Sequence, residues 1–154
     1  MKKNNNKIFK KSLSKFTTGV IVVSINCKGI FLGKTINSFA SLSLKPPLIL
    51  FSLDKKSSSL MYYKKARYFS INILSSKQIK LSNYFAKKNP KWPEFPFKVG
   101  SYKTPNFSNC LANLECKKTK YLSQGDHVLF IGEVLNLSYN NNLKPLLYFN
   151  SKYM

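Results

Sequence analysis

Acidic residues are scarce in this sequence. Asp54, Glu94, Glu115, Asp126 and Glu133 are its five carboxylates, spaced too widely for an obvious catalytic pair. Histidine occurs once, at His127, and no GxSxG accompanies it. The signature of a triad hydrolase is therefore missing. The three cysteines, Cys27, Cys110 and Cys116, show no CxxC spacing. With a single histidine they make no recognisable zinc set, and their odd number suits a reducing compartment. On one strand, Cys110 and Cys116 would stand roughly 20 Å apart, too far for a disulfide. No apolar run approaches the ~20 residues that span a bilayer. The basic start, Met1 to Lys11, leads into no apolar signal region, so a cytoplasmic protein is expected. No GxGxxG and no regular strand–helix alternation is present, which argues against a Rossmann fold.

What the chain has in excess is lysine. The formal net charge is +21, yet Arg67 is the single arginine. One reading is a nucleic-acid surface, because clustered cations release counterions from phosphates. The other is compositional drift toward Lys, Asn and Ile, and the scattered lysines favour it. An evolved nucleic-acid surface recruits arginine for its forked contacts. Either way the field attracts anionic nucleotides. At 154 residues, 44% hydrophobic and 14% aromatic, the chain is a globular domain with a real core.

A disordered basic head over residues 1–7 is expected to precede a short helix, Ile8 to Leu13. Val20 to Ile25 reads as a buried strand, with Ile30 to Ile36 as its hairpin partner. Asn37 to Leu44 is Ser-rich and extended, and Pro46-Pro47 opens a third strand, Leu48 to Leu53. A helix near Ser57 to Ala66 is expected behind a Ser57 or Ser58 cap. Phe69, Ile71 and Ile73 alternate with Ser70 and Asn72, the pattern of a half-buried strand. Ser76 is positioned to cap a second helix, Lys77 to Phe85. Lys87 to Asn109 holds Pro90, Pro93, Pro96 and Pro105 and reads as a long surface loop. Leu111 to Tyr121 and His127 to Tyr139 form a hairpin around Gln124-Gly125-Asp126, and Leu146 to Tyr148 is the last strand. Six or seven antiparallel strands with two or three short helices predict a mainly β domain over residues 8–154, closed into a small barrel.

Three segments carry possible chemistry. Gly33 to Phe39, at a strand end, offers backbone N–H groups and Asn/Ser side chains to a flat heterocycle, or is simply a Ser-rich bend. Ser52-Leu53-Asp54-Lys55-Lys56-Ser57-Ser58-Ser59 leads into a helix with lysines and hydroxyls suited to phosphate, or is an ordinary helix start. Gly125-Asp126-His127 is turn chemistry that also places the one histidine at the beginning of a strand.

In order along the chain, these segments resemble the flavin reductase-like, FMN-binding split-barrel family, which includes reductase components of two-component flavin-dependent monooxygenases. The resemblance runs from about Phe16 to Tyr153. It rests on Phe16-Thr17-Thr18-Gly19-Val20, Gly33 to Ser38, Ser41-Leu42-Ser43-Leu44-Lys45-Pro46-Pro47-Leu48, Ser52 to Ser58, Phe69 to Leu74, Gly125-Asp126-His127 and Leu147 to Tyr153. Lys55 and Lys152 stand where such proteins often have arginine, and the Pro-rich stretch aligns poorly.

The resemblance implies a Greek-key split barrel that dimerises, with flavin near the subunit interface. It implies that Thr35, Ile36, Asn37 and Ser38, with Ser52, Leu53 and Asp54, hold the isoalloxazine and ribityl parts. Lys55, Ser57 and Ser58 would hold the phosphate, and Asn72, Phe85 and Lys87 would be outer contacts. His127 would lie beside the nicotinamide. The implied activity is hydride transfer from NADH or NADPH to FMN or FAD, for which no protein acid or base is obligatory. A monooxygenase is the implied partner. A flavin-holding electron carrier without pyridine-nucleotide activity is the alternative, followed by a basic nucleic-acid-associated protein.

Overall fold

In the computed structural model, residues 3–88 and 90–154 are described. Helix α1 (Lys3–Leu13) starts inside the stretch read as a disordered head. Residues 1 and 2 of that stretch lie outside the described residues. Asn5, Asn6, Lys7, Lys10 and Lys11 of α1 are exposed, and Lys10 and Lys11 stand at the negative end of its dipole.

Twelve strands follow the helix: β1 (Thr18–Gly19), β2 (Ile21–Cys27), β3 (Ile30–Ile36), β4 (Phe39–Leu44), β5 (Pro47–Asp54), β6 (Tyr68–Ile73), β7 (Phe97–Val99), β8 (Pro105–Phe107), β9 (Ala112–Gln124), β10 (His127–Tyr139), β11 (Leu147–Phe149) and β12 (Lys152–Tyr153). Seven form one antiparallel sheet in the order β3-β2-β6-β9-β10-β5-β4. The sheet curls until β3 approaches β5. The hairpin signals are met: Lys28 and Gly29 take positive φ between β2 and β3, and Gly125 does so between β9 and β10. The chain end holds one strand more than expected, because Asn150 and Ser151, both at positive φ, turn β12 back onto β11.

The other two helices also differ from expectation. Helix α2 (Leu60–Lys65) begins three residues late, and Ser59 at its N-cap makes no side-chain cap bond. The Ser57 hydroxyl instead lies 3.1 Å from that of Ser59. Before helix α3 (Ile79–Ala86) a 3-10 turn, Ser76–Gln78, is capped by Ser75 and not by Ser76.

The core has two layers. Ile21, Val23 and Ile25 of β2 pack inside the curled sheet with Phe51, Phe69, Ile71 and Phe130. Val20 and Val22 face the other way, toward Leu81 and Phe85 of α3 and Phe107. This two-sided burial is what a continuous β-branched run predicts.

The second layer corrects two expectations. Strand β6 is not half-buried: Ser70 and Asn72 are 0% exposed. Nor is Lys87 to Asn109 a simple surface loop. It folds the β7–β8 hairpin over β6 and satisfies that strand's polar face. The Ser24 hydroxyl donates to the Pro105 carbonyl at 2.5 Å, and the Ser70 and Thr104 hydroxyls meet at 2.7 Å. Asn72 Oδ1 accepts from the Phe107 N–H at 2.8 Å. Trp92 stacks on Phe107 at 5.4 Å beside Phe31, Phe85 and Phe97. Four prolines punctuate this segment, but Phe107 is buried and Trp92, Phe95 and Phe97 pack against the second core layer.

Candidate active site

The two strand ends singled out in the sequence lie side by side. The Ser38 hydroxyl donates to the Ser52 carbonyl at 2.9 Å and accepts from the Ser52 N–H at 3.1 Å. Across β5 and β10, Ser52 pairs with Leu129 and Asp54 with His127. Paired residues of antiparallel strands share a face. Phe51, Leu53, Val128 and Phe130 occupy the inner face, so Ser52, Asp54, Leu129 and His127 form a strip on the outer one. Ser38 borders it.

The turn holding His127 is tied to the loop after β5. Lys55 donates twice, its N–H to the Asp126 carbonyl at 2.9 Å and its ammonium to the Gly125 carbonyl at 2.7 Å. His127 Nδ1 lies 2.7 Å from Asp126 Oδ1, and 45% of the imidazole side chain is exposed. That hydrogen bond holds the Asp126 carboxyl below the usual carboxylate range.

Next to the strip opens a cleft of about 700 Å³, bounded by Ile30 to Lys34 of β3, the loop after β5, Tyr62 of α2 and the segment after α3. Its lining includes Lys34, Lys56, Lys87, Lys88 and Lys91, with Asp54 the one acid and with the hydroxyl residues Ser57, Ser58, Ser59 and Tyr62. The Lys34 ammonium donates to the Lys87 carbonyl at 3.3 Å, joining β3 to the C-terminus of α3. Burial pushes Lys34 below the ordinary lysine value, and Asp54 opposes that shift. Asp54 Oδ1 accepts from the Lys56 N–H at 2.7 Å and fixes the loop's bend. At Gly33 a Cβ would lie 2.5 Å from the Phe85 ring. Only glycine lets β3 approach α3 this closely.

Of the residues expected to bind flavin, Asn37 is exposed, Ser38, Ser52 and Asp54 reach the strip, and Asp54, Ser57, Ser58 and Lys87 reach the cleft. The others are placed differently. Ile36, Leu53 and Phe85 point into the core, leaving the backbone of Ile36 and Leu53 as their only offer to a ligand. The Thr35 hydroxyl is bound to the Ser82 carbonyl at 2.7 Å. Asn72, expected as an outer contact, is 0% exposed. Its amide donates to the Val22 carbonyl and the Ser24 hydroxyl, and its oxygen accepts from Phe107 and Asn113. All four of its ordinary bonds are made within the protein. Lys55 ties two loops together, and its neighbour Lys56 takes the place in the cleft. Lys34, Tyr62, Lys88 and Lys91 were not anticipated. Lys34 sits inside a recognised segment, whereas Lys88 and Lys91 lie in the stretch that aligns poorly.

A flat, polar-edged heterocycle with an anionic tail matches these parts: a strip of strand ends for the ring, and a cationic cleft for the tail. Comparison with known proteins agrees. Residues 13–154 match the flavin reductase like domain. The chain is 35% identical over 137 residues to the FMN reductase (NADH) SmoA of Agrobacterium fabrum, covering 89% of this chain and 79% of that protein. It is 32% identical over 151 residues to HsaB of Rhodococcus jostii, the reductase subunit of a flavin-dependent monooxygenase, covering 94% of this chain and 75% of HsaB. The solved structure of the flavin reductase HpaC complexed with NADP+ superposes with a TM-score of 0.88 at 34% identity, over 97% of this chain and 96% of HpaC. The chain belongs to the flavin reductase like domain family.

Proposed function

We propose that this protein is an NAD(P)H:flavin oxidoreductase, which passes hydride from nicotinamide to FMN or FAD and supplies reduced flavin to a partner monooxygenase. The observation that carries the reading is the convergence, in a member of this family, of the Ser38–Ser52 and Asp54–His127 pairs on a lysine-lined cleft. Bound flavin supplies the hydride acceptor, a chemistry no side chain offers. The chain's own residues bind and orient. Asn37, Ser38 and Ser52, with the backbone of residues 35–38, hold the ring edge. Lys56, Ser57, Ser58 and Lys87 hold the phosphate. His127 stands at the end of the strip and positions the nicotinamide. A direct hydride transfer asks the protein for no acid or base, which accords with so few carboxylates.

We place the enzyme in the cytoplasm as a homodimer. Among the described residues no helix is long and apolar enough to cross a membrane, and the free cysteines suit a reducing compartment. The apolar residues left outside, among them Leu44 at 88% exposure with Leu42, Leu137 and Tyr139, support a second copy as their cover. Anaerobic titration of the flavin-loaded protein with NADH and with NADPH tests the activity. The flavin absorbance near the visible maximum is expected to bleach stoichiometrically with at least one of them. Bound flavin that neither nucleotide reduces would support the electron-carrier reading instead.

A further inference from the structure

Residues 5–13 of helix α1 are all exposed, and so are Lys15 and Phe16 behind them. After the helix, the Ser14 carbonyl accepts from the Asn150 N–H at 2.9 Å, and the Lys15 ammonium donates to Asn150 Oδ1 at 2.9 Å. The C-terminal end of α1 is thereby tied to the β11–β12 turn, while its flanks stay open to water. Those flanks differ in chemistry. At about 3.6 residues per turn, Ile8, Phe9, Ser12 and Leu13 share one arc of the helix, and Lys7, Lys10 and Lys11 share the opposite arc. Ile8, Phe9, Leu13 and Phe16 are each more than half exposed. A group of large apolar side chains left in water marks an interaction surface.

We infer that α1 is an interfacial anchor, which lies flat on a bilayer surface carrying anionic lipid. Ile8, Phe9, Leu13 and Phe16 enter the acyl boundary, and Lys7, Lys10 and Lys11 stay among the headgroups. Charge decides the occupant. No Asp or Glu precedes Asp54, and the whole chain sets five carboxylates against 26 basic residues. A second copy of the chain covers the apolar arc but has few carboxylates to offer the lysines. An apolar groove on another protein likewise serves one arc only. An anionic bilayer serves both arcs at once, because its acyl boundary takes the apolar side chains and its headgroups take the ammonium groups. Lysine suits this placement, since its stem runs along apolar surface while its charge stays in water. At 11 residues the helix is far shorter than the ~20 that span a bilayer, so it rests on the surface and does not cross.

Flotation of the full chain with lipid vesicles tests the anchor, and none of its readouts involves flavin. One set of vesicles is phosphatidylcholine alone, and in the other one lipid in three is phosphatidylserine. The chain is expected to bind the second set at least about tenfold more tightly than the first. Because the net charge of +21 draws the whole protein to anionic surfaces, the deciding variant is I8S/F9S/L13S. It keeps every charge, changes exposed positions alone, and is expected to lose at least about tenfold in affinity for the anionic vesicles. Circular dichroism reports its folding, and F9W carries the test if the triple variant does not fold. The F9W fluorescence is expected to be quenched by brominated lipid, whereas Trp92 packs against the second core layer and is not. Failure of the full chain to bind phosphatidylserine vesicles would overturn the inference. Equal binding by I8S/F9S/L13S and the parent, or an unquenched F9W, would leave the bulk charge as the cause and overturn it too. A lower mass of I8S/F9S/L13S than of the parent in sedimentation would assign the apolar arc to a second copy, and would also overturn it.

Discussion

Lys55 and Gly125 are joined at 2.7 Å, ammonium to carbonyl, so the loop that enters α2 and the turn that presents His127 move as one piece. In that position the Lys55 ammonium is engaged by the turn it braces. Lys55→Ala is therefore expected to weaken riboflavin and FMN by similar factors. Lys56→Ala removes a cleft cation and is expected to weaken FMN about fivefold or more, ~1 kcal/mol, while changing riboflavin little. Parallel fluorescence titrations read both. A selective loss of FMN in the Lys55 variant would restore it to the phosphate.

His127 stands opposite Asp54 at the mouth of the strip. Hydride transfer needs no imidazole, so the role expected of this residue is positioning, to which rate is sensitive. His127→Ala is expected to keep flavin affinity within about threefold, less than ~1 kcal/mol. The rate of reduction at limiting NAD(P)H is expected to fall at least about tenfold, ~1.4 kcal/mol. Anaerobic stopped-flow measurements separate the two. An unchanged reduction rate would return His127 to a purely turn-forming role.

Lys34 is expected to give the phosphate-bearing flavins an alkaline limb. Its ammonium titrates below the ordinary lysine value because it is partly buried. An anion bound beside it favours the protonated form. Affinity is therefore full below the free protein's lowered value and falls as pH rises through it. FMN and FAD should weaken together toward high pH, starting earlier than an exposed lysine allows. Riboflavin should not, and Lys34→Met should flatten the profile. Identical pH profiles for riboflavin and FMN would contradict this.

Asn72 is expected to matter for folding. It supplies two acceptor and two donor contacts at 2.8–2.9 Å in the buried layer between β2, β6 and β8. Asn72→Leu strands the Phe107 N–H and leaves the Asn113 amide with the Phe107 carbonyl alone, at a cost of about 2–4 kcal/mol. For a chain of this size that lowers Tm by roughly 5–15 °C. Flavin affinity of the folded fraction, measured at low temperature, should change less than threefold. A large affinity loss at unchanged Tm would make Asn72 a ligand contact after all.

The three thiols should be inert in the native state. Cys27, Cys110 and Cys116 are free and buried, and burial pushes Cys110 up to about 11 and Cys116 up to about 12. Reactivity follows the thiolate. A disulfide reagent at pH 8 should label all three only after denaturation. Rapid labelling of the native protein would show that the core opens readily.

Glu115 shows how far a single residue can escape a linear reading. In the sequence it is one of five isolated carboxylates. In the fold it is 2% exposed and accepts from Tyr102 N–H, Ser101 N–H, the Thr104 hydroxyl and the Asn136 amide. It clamps the Gly100–Thr104 turn over β9, and its side chain lies against Gly100 so closely that a Cβ there would collide with it. Nothing in its immediate sequence announces those partners, because they lie 11 to 21 residues away, in the turn before β8 and in β10.

Local chemistry settled what local chemistry controls. The β-branched run of β2, the Asn26–Gly29 and Gly125–Asp126 turns, the long β9–β10 hairpin and the ordered motifs of the family were all legible, because hydrophobic period, left-handed turn residues and short-range order act within a few positions. Ser38, Ser52, Asp54 and His127 were each legible as members of their own motifs, whereas the pairing of β5 with β10 and the Ser38–Ser52 bonds decided that they lie side by side. Tertiary structure alone decided which lysine faces the ligand and which braces a turn, since Lys55 and Lys56 are equivalent in sequence and differ only in the carbonyl that Gly125 brings within reach. It alone decided that Ser70 and Asn72 lie under the Pro-rich segment, because a polar face is half-exposed or fully buried according to what folds over it. And it alone gathered Lys34, Lys88 and Lys91 around one cleft, because cations far apart along the chain become neighbours only when β3 and α3 pack through Gly33 and Phe85.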